Sequence, residues 1–313
     1  MRTATLFVAI ASAAASAAPL EVATGAHTVA SGETYDWILA SGDATLDMTG
    51  GDSTDGTTVM ADGDSFNNIG AGALGSSVFT ITGGVVAKRA FSFETGTMTI
   101  DGGEVNTAKA YGDSTYNLTS GTVNFGVYAH HDSVFTMTGG ACEGNGHTRE
   151  RALFVMTGGS IGGDFFSNKN SNVVIEAESF SYDHDNDDKT APLPFDFARG
   201  SEIVITRDDP RFSDTTLNNI AHRIFYDFTV TFPGGASTTF DFYGYNQGNL
   251  TWGGSLTLRL AATDNPADLD GSGTVDSGDL AALLAAWGGP DADLNDDGVT
   301  DSSDLAILLA AWD

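Results

Sequence analysis

The sequence predicts a mainly β protein: a parallel β-helix of about 19-residue coils, closed by an antiparallel β cap and followed by a small helical unit. Three observations predict it. A short phrase ending in glycine recurs through residues 41–178 at a near-constant interval. Within each copy apolar and polar residues alternate with period two, the mark of strands. The last 49 residues instead carry a duplication in which an Asp-rich segment leads into an apolar helical stripe.

The chain opens with Met1 and Arg2, a small apolar run from Ala4 to Ala15, and the small-x-small site Ala15-Ser16-Ala17 ahead of Pro19. That pattern predicts a secretory signal peptide over residues 1–17. The run is shorter than the ~20 apolar residues that span a bilayer, so no membrane span is expected. The expected location is secreted, either extracellular or at a cell surface. Forty-two Asp and Glu against 13 Lys and Arg give a formal charge of −29. This excludes nucleic acid as a partner, because phosphate binding needs clustered cations. The single Cys142 excludes an internal disulfide framework.

Residues 18–178 are assigned to the β-helix. The repeats are ATLDMTGG at 44–51, SVFTITGG at 77–84, GTMTIDGG at 96–103, STYNLTSG at 114–121, SVFTMTGG at 133–140 and ALFVMTGG at 152–159. Their closing glycines are spaced 33, 19, 18, 19 and 19 residues apart, and the long first gap leaves room for one irregular coil around Thr58–Asn68. The missing hexapeptide rhythm predicts a right-handed solenoid. Inward columns are expected at Phe79, Met98, Tyr116, Phe135, Phe154 and Val173, and at Ile81, Ile100, Leu118, Met137, Met156 and Ile175. A third follows the glycines: Val86, Val105, Val123, Cys142 and Ile161. Cys142 thereby reads as a small buried hydrophobe rather than a nucleophile. The closing glycines are expected at positive φ.

Outward Thr80, Thr99 and Thr136, with Thr82, Thr119, Thr138 and Thr157, form T-x-T ladders interrupted by Asp101, Asn117 and Val155. They resemble ice-binding solenoids, although Thr is also a good solvent-facing strand residue. The architecture also resembles pectin-degrading lyases and hydrolases. Candidates for such chemistry are His130, His131, Asp132, Glu143, His147, Arg149, Glu150, Arg151, Asp164 and the stretch 182–189. Most fall in turn segments, and no catalytic residue is assigned. Asp113 and Asp132, 19 residues apart, are expected to stack as turn caps.

Residues 179–264 read as a β-rich cap over the solenoid end. Phe225–Phe232 and Ser237–Tyr243 alternate on either side of Pro233-Gly234-Gly235, a hairpin signal. The aromatic residues Phe240, Phe242, Tyr243, Tyr245 and Trp252 suit cap packing or a sugar-stacking surface.

Residues 265–313 contain eleven Asp and no Lys, Arg or Glu. Segments 268–288 and 293–313 match at 13 of 21 positions. Each opens with a twelve-residue loop of hard oxygen ligands suited to Ca²⁺. Asp268, Asp270, Ser272, Thr274, Asp276 and Asp279 form the first ligand set, and Asp293, Asn295, Asp297, Val299, Asp301 and Asp304 the second. Gly273 and Gly298 hold the sharp-turn position. Leu280, Leu283, Leu284 and Trp287, matched by Leu305, Leu308, Leu309 and Trp312, form apolar stripes. Two loop-helix copies without entering helices resemble a type I dockerin, with Thr300 in place of the family's apolar residue at loop position 8. The resemblance implies two Ca²⁺ and docking to a cohesin-like domain of a scaffold or cell-surface protein, through Ser277, Gly278, Ser302 and Ser303.

The sequence thus points to a secreted, calcium-binding β-helix anchored by a dockerin-like tail, a structural, adhesive or carbohydrate-contacting module. A polysaccharide lyase or glycoside hydrolase is the alternative, and an ice binder the second.

Overall fold

The computed structural model describes residues 7–9, 18–61, 64–183, 190–192, 202–206, 221–245, 253–261, 265–270, 275–295 and 297–312. Most of the expected signal segment, residues 184–189, Trp252, Ser272, Gly273 and Thr274 lie outside them. The body is a β-solenoid of about eight turns. Each coil adds three short runs, shown by Thr97–Ile100, Glu104–Val105 and Thr107–Ala110, to three stacked ladders. The pairing is parallel and in register, so residues one coil apart face each other.

The three expected inward columns form as read. Phe79 pairs with Met98, Met98 with Tyr116, Tyr116 with Phe135, Phe135 with Phe154 and Phe154 with Val173. All six are fully buried. Cys142 lies 1 % exposed in the third column, and burial pushes its thiol up to about 11, which leaves it an unreactive filler. The closing glycines are at positive φ, from 72° at Gly103 and Gly140 to 86° at Gly84. A Cβ on Gly84 would collide with the Gly51 carbonyl oxygen, so the coils approach more closely there than any side chain allows.

Two features depart from the sequence reading. The 33-residue gap holds no additional coil, because Thr45–Met48 pairs directly with Val78–Ile81. Its extra length is an antiparallel hairpin, Thr57–Ala61 with Asp64–Ala73, whose last residues rejoin the third run beside Ala90. Second, the columns extend beyond residue 178. Ser255–Leu260 stacks parallel on Asn172–Ala177, placing Leu256 on Val173 and Leu258 on Ile175. Phe242–Tyr245 likewise continues the third run from Phe165–Asn168. The chain therefore leaves the solenoid after Ala177, builds antiparallel structure, and returns to add another rung.

That antiparallel structure contains the expected hairpin, Ala221–Thr231 with Ser237–Tyr245, turned at Gly234 and Gly235 with φ of 87° and 82°. Glu202–Thr206 pairs antiparallel with Ser255–Leu260 and covers its free edge. Phe225, Phe228, Phe232, Phe240 and Phe242 join the main core, so these rings serve packing.

The tail has its own core of Ala267, Val275, Leu283, Ala292 and Leu308. Helices α1 (Ser277–Ala285) and α2 (Ser302–Ala310) start from capping boxes at Asp276 and Asp301. The apolar stripes are only partly internal: Leu283 and Leu308 are buried, while Trp287 is 47 % and Trp312 41 % exposed. Two nine-residue helices packed on each other bury one narrow seam, and the rest of each stripe faces out.

Candidate functional site

The third run presents an outward column that grows from the coil length itself. Phe91, Lys109, Tyr128, His147, Phe166 and Tyr243 are successive register partners. Lys109, Tyr128, His147 and Phe166 are each 19 residues apart. Their neighbours inside the coil, such as Ala108, Ala110, Val127 and Ala129, are buried, so alternation turns this column outward. Lys109 Nζ lies 4.4 Å above the Tyr128 ring. His147 is stacked 4.7 Å from Tyr128 and 4.9 Å from Phe166, and Phe166 is 5.0 Å from Tyr243. A second column, Tyr111, His130 and Arg149, runs alongside at the same interval, with His130 stacked 4.8 Å from Tyr111.

At the solenoid's early end this face is covered. Phe66 of the inserted hairpin packs on Phe91, Phe93 and Tyr111 in a cluster with Trp37, Leu39, Ile69 and Leu74. Beyond Tyr111 the columns are half-buried and open to solvent.

Its electrostatics are distinctive for so acidic a chain. Burial, then Arg89 and Arg149, bring Lys109 down to about 8. Burial, then Lys109 and Arg149, bring His130 down to about 3. His147 falls to about 4 through burial, Arg149 and Lys109. Both imidazoles are therefore neutral near pH 7. His130 Nε2, His147 Nδ1 and Arg149 Nε are buried and carry no hydrogen bond. Among the described ion pairs, none involves Lys109 or Arg149.

The adjoining corner is built differently. His131, Glu150 and Lys169, again 19 apart, form a ladder with Glu150 at 3.4 Å from His131 Nε2 and 3.0 Å from Lys169 Nζ. Asp132 pairs with Arg151 of the next coil, so it joins an ion pair there. The Arg151 hydrogen bond draws the Asp132 carboxyl below its ordinary value. Glu143 and Asp164 stand at another corner, ahead of strands Asn145–Thr148 and Phe165–Asn168. Of the candidates named from the sequence, the structure thus brings His130, His147 and Arg149 together, with the Glu150 charge acting on His130 from the adjoining corner. Lys109, Tyr111, Tyr128, Phe166 and Tyr243 were missed, although the 19-residue spacing marks all but Tyr243.

In the tail, ligand oxygens of Asp268, Asp270 and Asp279 lie within 4.8 Å of one another. That is the span available to oxygens around one Ca²⁺ at about 2.3–2.6 Å, so this acidic donor set fits the ion. Asp279 is buried and accepts N–H bonds from Asp270 at 3.0 Å and Asp276 at 2.8 Å. Burial opposes its ionisation, yet the backbone donors together hold its carboxyl below the ordinary value. Asp304 repeats this with Asp301, Leu294 and Asn295 as donors. The second loop is otherwise wrapped on itself: Asp293 accepts from Asp297 and Gly298, and Asn295 donates to Asp297. Thr300 is buried, and its hydroxyl accepts the Ala292 N–H at 3.1 Å, which accounts for a polar residue at this position. Ser277, Ser302 and Ser303 are exposed at the helix starts, and Gly278 is half-buried against Asp270.

Comparison with models of protein families, with curated proteins and with solved structures gave no match. The third face can hold an extended ligand by ring edges and cations, whereas the tail offers oxygen ligands to a hard cation.

Proposed function

We propose that this is a secreted β-solenoid module that binds an extracellular polysaccharide along its third face and is anchored by its calcium-binding, dockerin-like tail. The observation that carries this reading is the outward column Lys109–Tyr128–His147–Phe166–Tyr243, open beyond the inserted hairpin and repeated at each coil. A periodic row on a rigid scaffold suits a periodic, extended ligand. Two Ca²⁺ would be held by the loop ligands named above, with the ion stabilising the fold of the tail. The exposed Ser277, Ser302 and Ser303 support a protein partner of cohesin type at the helix starts.

Affinity electrophoresis of the full chain through gels containing different polysaccharides tests the reading. Retardation by at least one polymer, lost in His147→Ala, is the expected result. No retardation by any polymer refutes it. A lyase reading draws on one observation, the amine of Lys109 brought down to about 8 by burial and by the charges of Arg89 and Arg149. It requires shortened chains with unsaturated sugar ends after incubation, whereas a binding module leaves polymer length unchanged.

A further inference from the structure

We propose that the ligand of the third face is an anionic polysaccharide, with carboxylate or sulfate groups that seat against Lys109, His130, His147 and Arg149. This rests on the carbohydrate reading above and narrows it.

The rings themselves argue against recognition by stacking. Tyr128 and His147 are within 3° of parallel, His147 and Phe166 within 16°, and Phe166 and Tyr243 within 16°. Each ring face is covered by the next ring, and Lys109 lies over the remaining face of Tyr128. Tyr128, His147 and Phe166, all half-buried, therefore present edges, and a sugar laid along the row finds no free π face on any of the three.

The charges give the sign. Thirteen basic residues serve a chain with 42 acidic ones, yet the charges of Arg89 and Arg149 both act on Lys109, and those of Lys109 and Arg149 on His130 and His147. Arg89 donates to the Asn67 carbonyl at 2.8 Å, a neutral acceptor. One corner away, His131, Lys169 and Arg151 all have carboxylate partners. Glu150 reaches toward His130 but is engaged by Lys169 and His131, and Asp241 accepts from Tyr243 and the Asp227 N–H. A cluster that disfavours its own positive charge is relieved when a ligand brings negative charge to it. The four groups occupy three successive coils, about 10 Å along the axis at ~4.8 Å per strand, so the ligand is extended. The net charge of −29 over the whole chain repels densely charged polyanions at a distance, which disfavours nucleic acid and leaves a polymer with spaced charges.

Calorimetry on the full-length protein in calcium tests this with polygalacturonate, a sulfated dextran, unmodified dextran and poly-glutamate. The variants are Lys109→Gln, Arg149→Gln and, as a control on the paired corner, Arg151→Gln, each checked for an unchanged melting temperature. The expected result is binding to a charged polysaccharide, weakened at least tenfold by Lys109→Gln or Arg149→Gln, weakened by added salt, and unaffected by Arg151→Gln. Binding to polygalacturonate alone would assign carboxylate groups, and to sulfated dextran alone sulfate groups. Equal binding to dextran, insensitive to salt, would overturn the anionic inference while sparing the carbohydrate reading. Equal binding to poly-glutamate would overturn the sugar specificity, and no binding to any polymer would overturn both.

Discussion

Phe135→Asp probes the stacked core most sharply. Phe135 is fully buried, with the Tyr116 ring 4.9 Å away on one side and Phe154 5.2 Å away on the other. Loss of such a ring costs about 3–5 kcal/mol. The new carboxyl would face apolar neighbours in its column and would have to stay neutral. At pH 7, about three units above an ordinary carboxyl near 3.9, protonation costs about 4 kcal/mol at ~1.4 kcal/mol per unit. The sum, about 7–9 kcal/mol, lies within the ~5–15 kcal/mol of a whole domain. At pH 4 the second part vanishes. Thr136→Asp, one residue on, points outward between Asn117 and Val155 and should cost less than about 1 kcal/mol. Urea unfolding followed by circular dichroism, at pH 7 and pH 4 and against the wild type at each, measures both variants. Equal losses in the two variants would refute the assignment of faces. A Phe135→Asp deficit that is the same at both pH values would refute the buried-carboxyl reasoning.

The Tyr116 hydroxyl is buried in the same column without a hydrogen-bond partner, so Tyr116→Phe should stabilise the protein by about 1 kcal/mol in the same unfolding assay. Gly84→Ala should lower the melting temperature by several degrees, because its φ is 86° and the added methyl meets the Gly51 carbonyl. His147 has a folded pKa near 4 against about 6.5 unfolded, so the unfolded chain binds more protons between those values and stability falls as pH drops from 6.5 to 4. Discounted for partial exposure, the effect is about 1–2 kcal/mol, and His147→Phe should flatten that part of the melting-temperature profile. Chelation of calcium should unfold α1 and α2 while leaving the β signal intact; a solenoid that melts together with the tail would count against independent calcium-dependent folding.

Inward columns were readable because burial acts on every coil at the same place: a charged residue at position 79, 98 or 135 would break the stack, so the pattern has no exceptions. The outward columns obey the same spacing but mix Lys, Tyr, His and Phe, and no hydropathy pattern joins those types. The sequence alone therefore marks His130, His147 and Arg149 only as candidates in turn segments and does not mark Lys109 and Tyr128. The final rung was hidden for another reason. Ser255–Leu260 joins a strand more than 80 residues earlier, and only tertiary pairing reveals that Leu256 continues the column of Val173. The same holds for the inserted hairpin, whose parting of the 33-residue gap depends on Val78 pairing with Thr45.

One spacing builds both the fastener at the corner and the open face beside it, and the difference lies in the order of signs along the axis. At about 4.8 Å per rung, unit charges on adjacent coils interact by roughly 1 kcal/mol in water and about 3.5 kcal/mol at an effective dielectric near 20. Where signs alternate, as in Glu150–Lys169 and Asp132–Arg151, each rung ties to the next. Where a cation instead stands beside neutral rings, as Lys109 does with Tyr128 and His147, or Arg149 with His130 and Tyr111, the same geometry leaves its charge without a tie. Adding a negative charge to the open face should therefore convert one kind of column into the other. His147→Glu would place a carboxylate on the level of Arg149, two rungs from Lys109, should raise the Lys109 pKa toward its ordinary value, and should close the face to anionic polymer. Titration of Lys109 by NMR, with polymer binding measured in parallel, decides it: a Lys109 pKa unmoved by the new carboxylate would mean that the cations do not share one potential, and the face would lose its electrostatic unity.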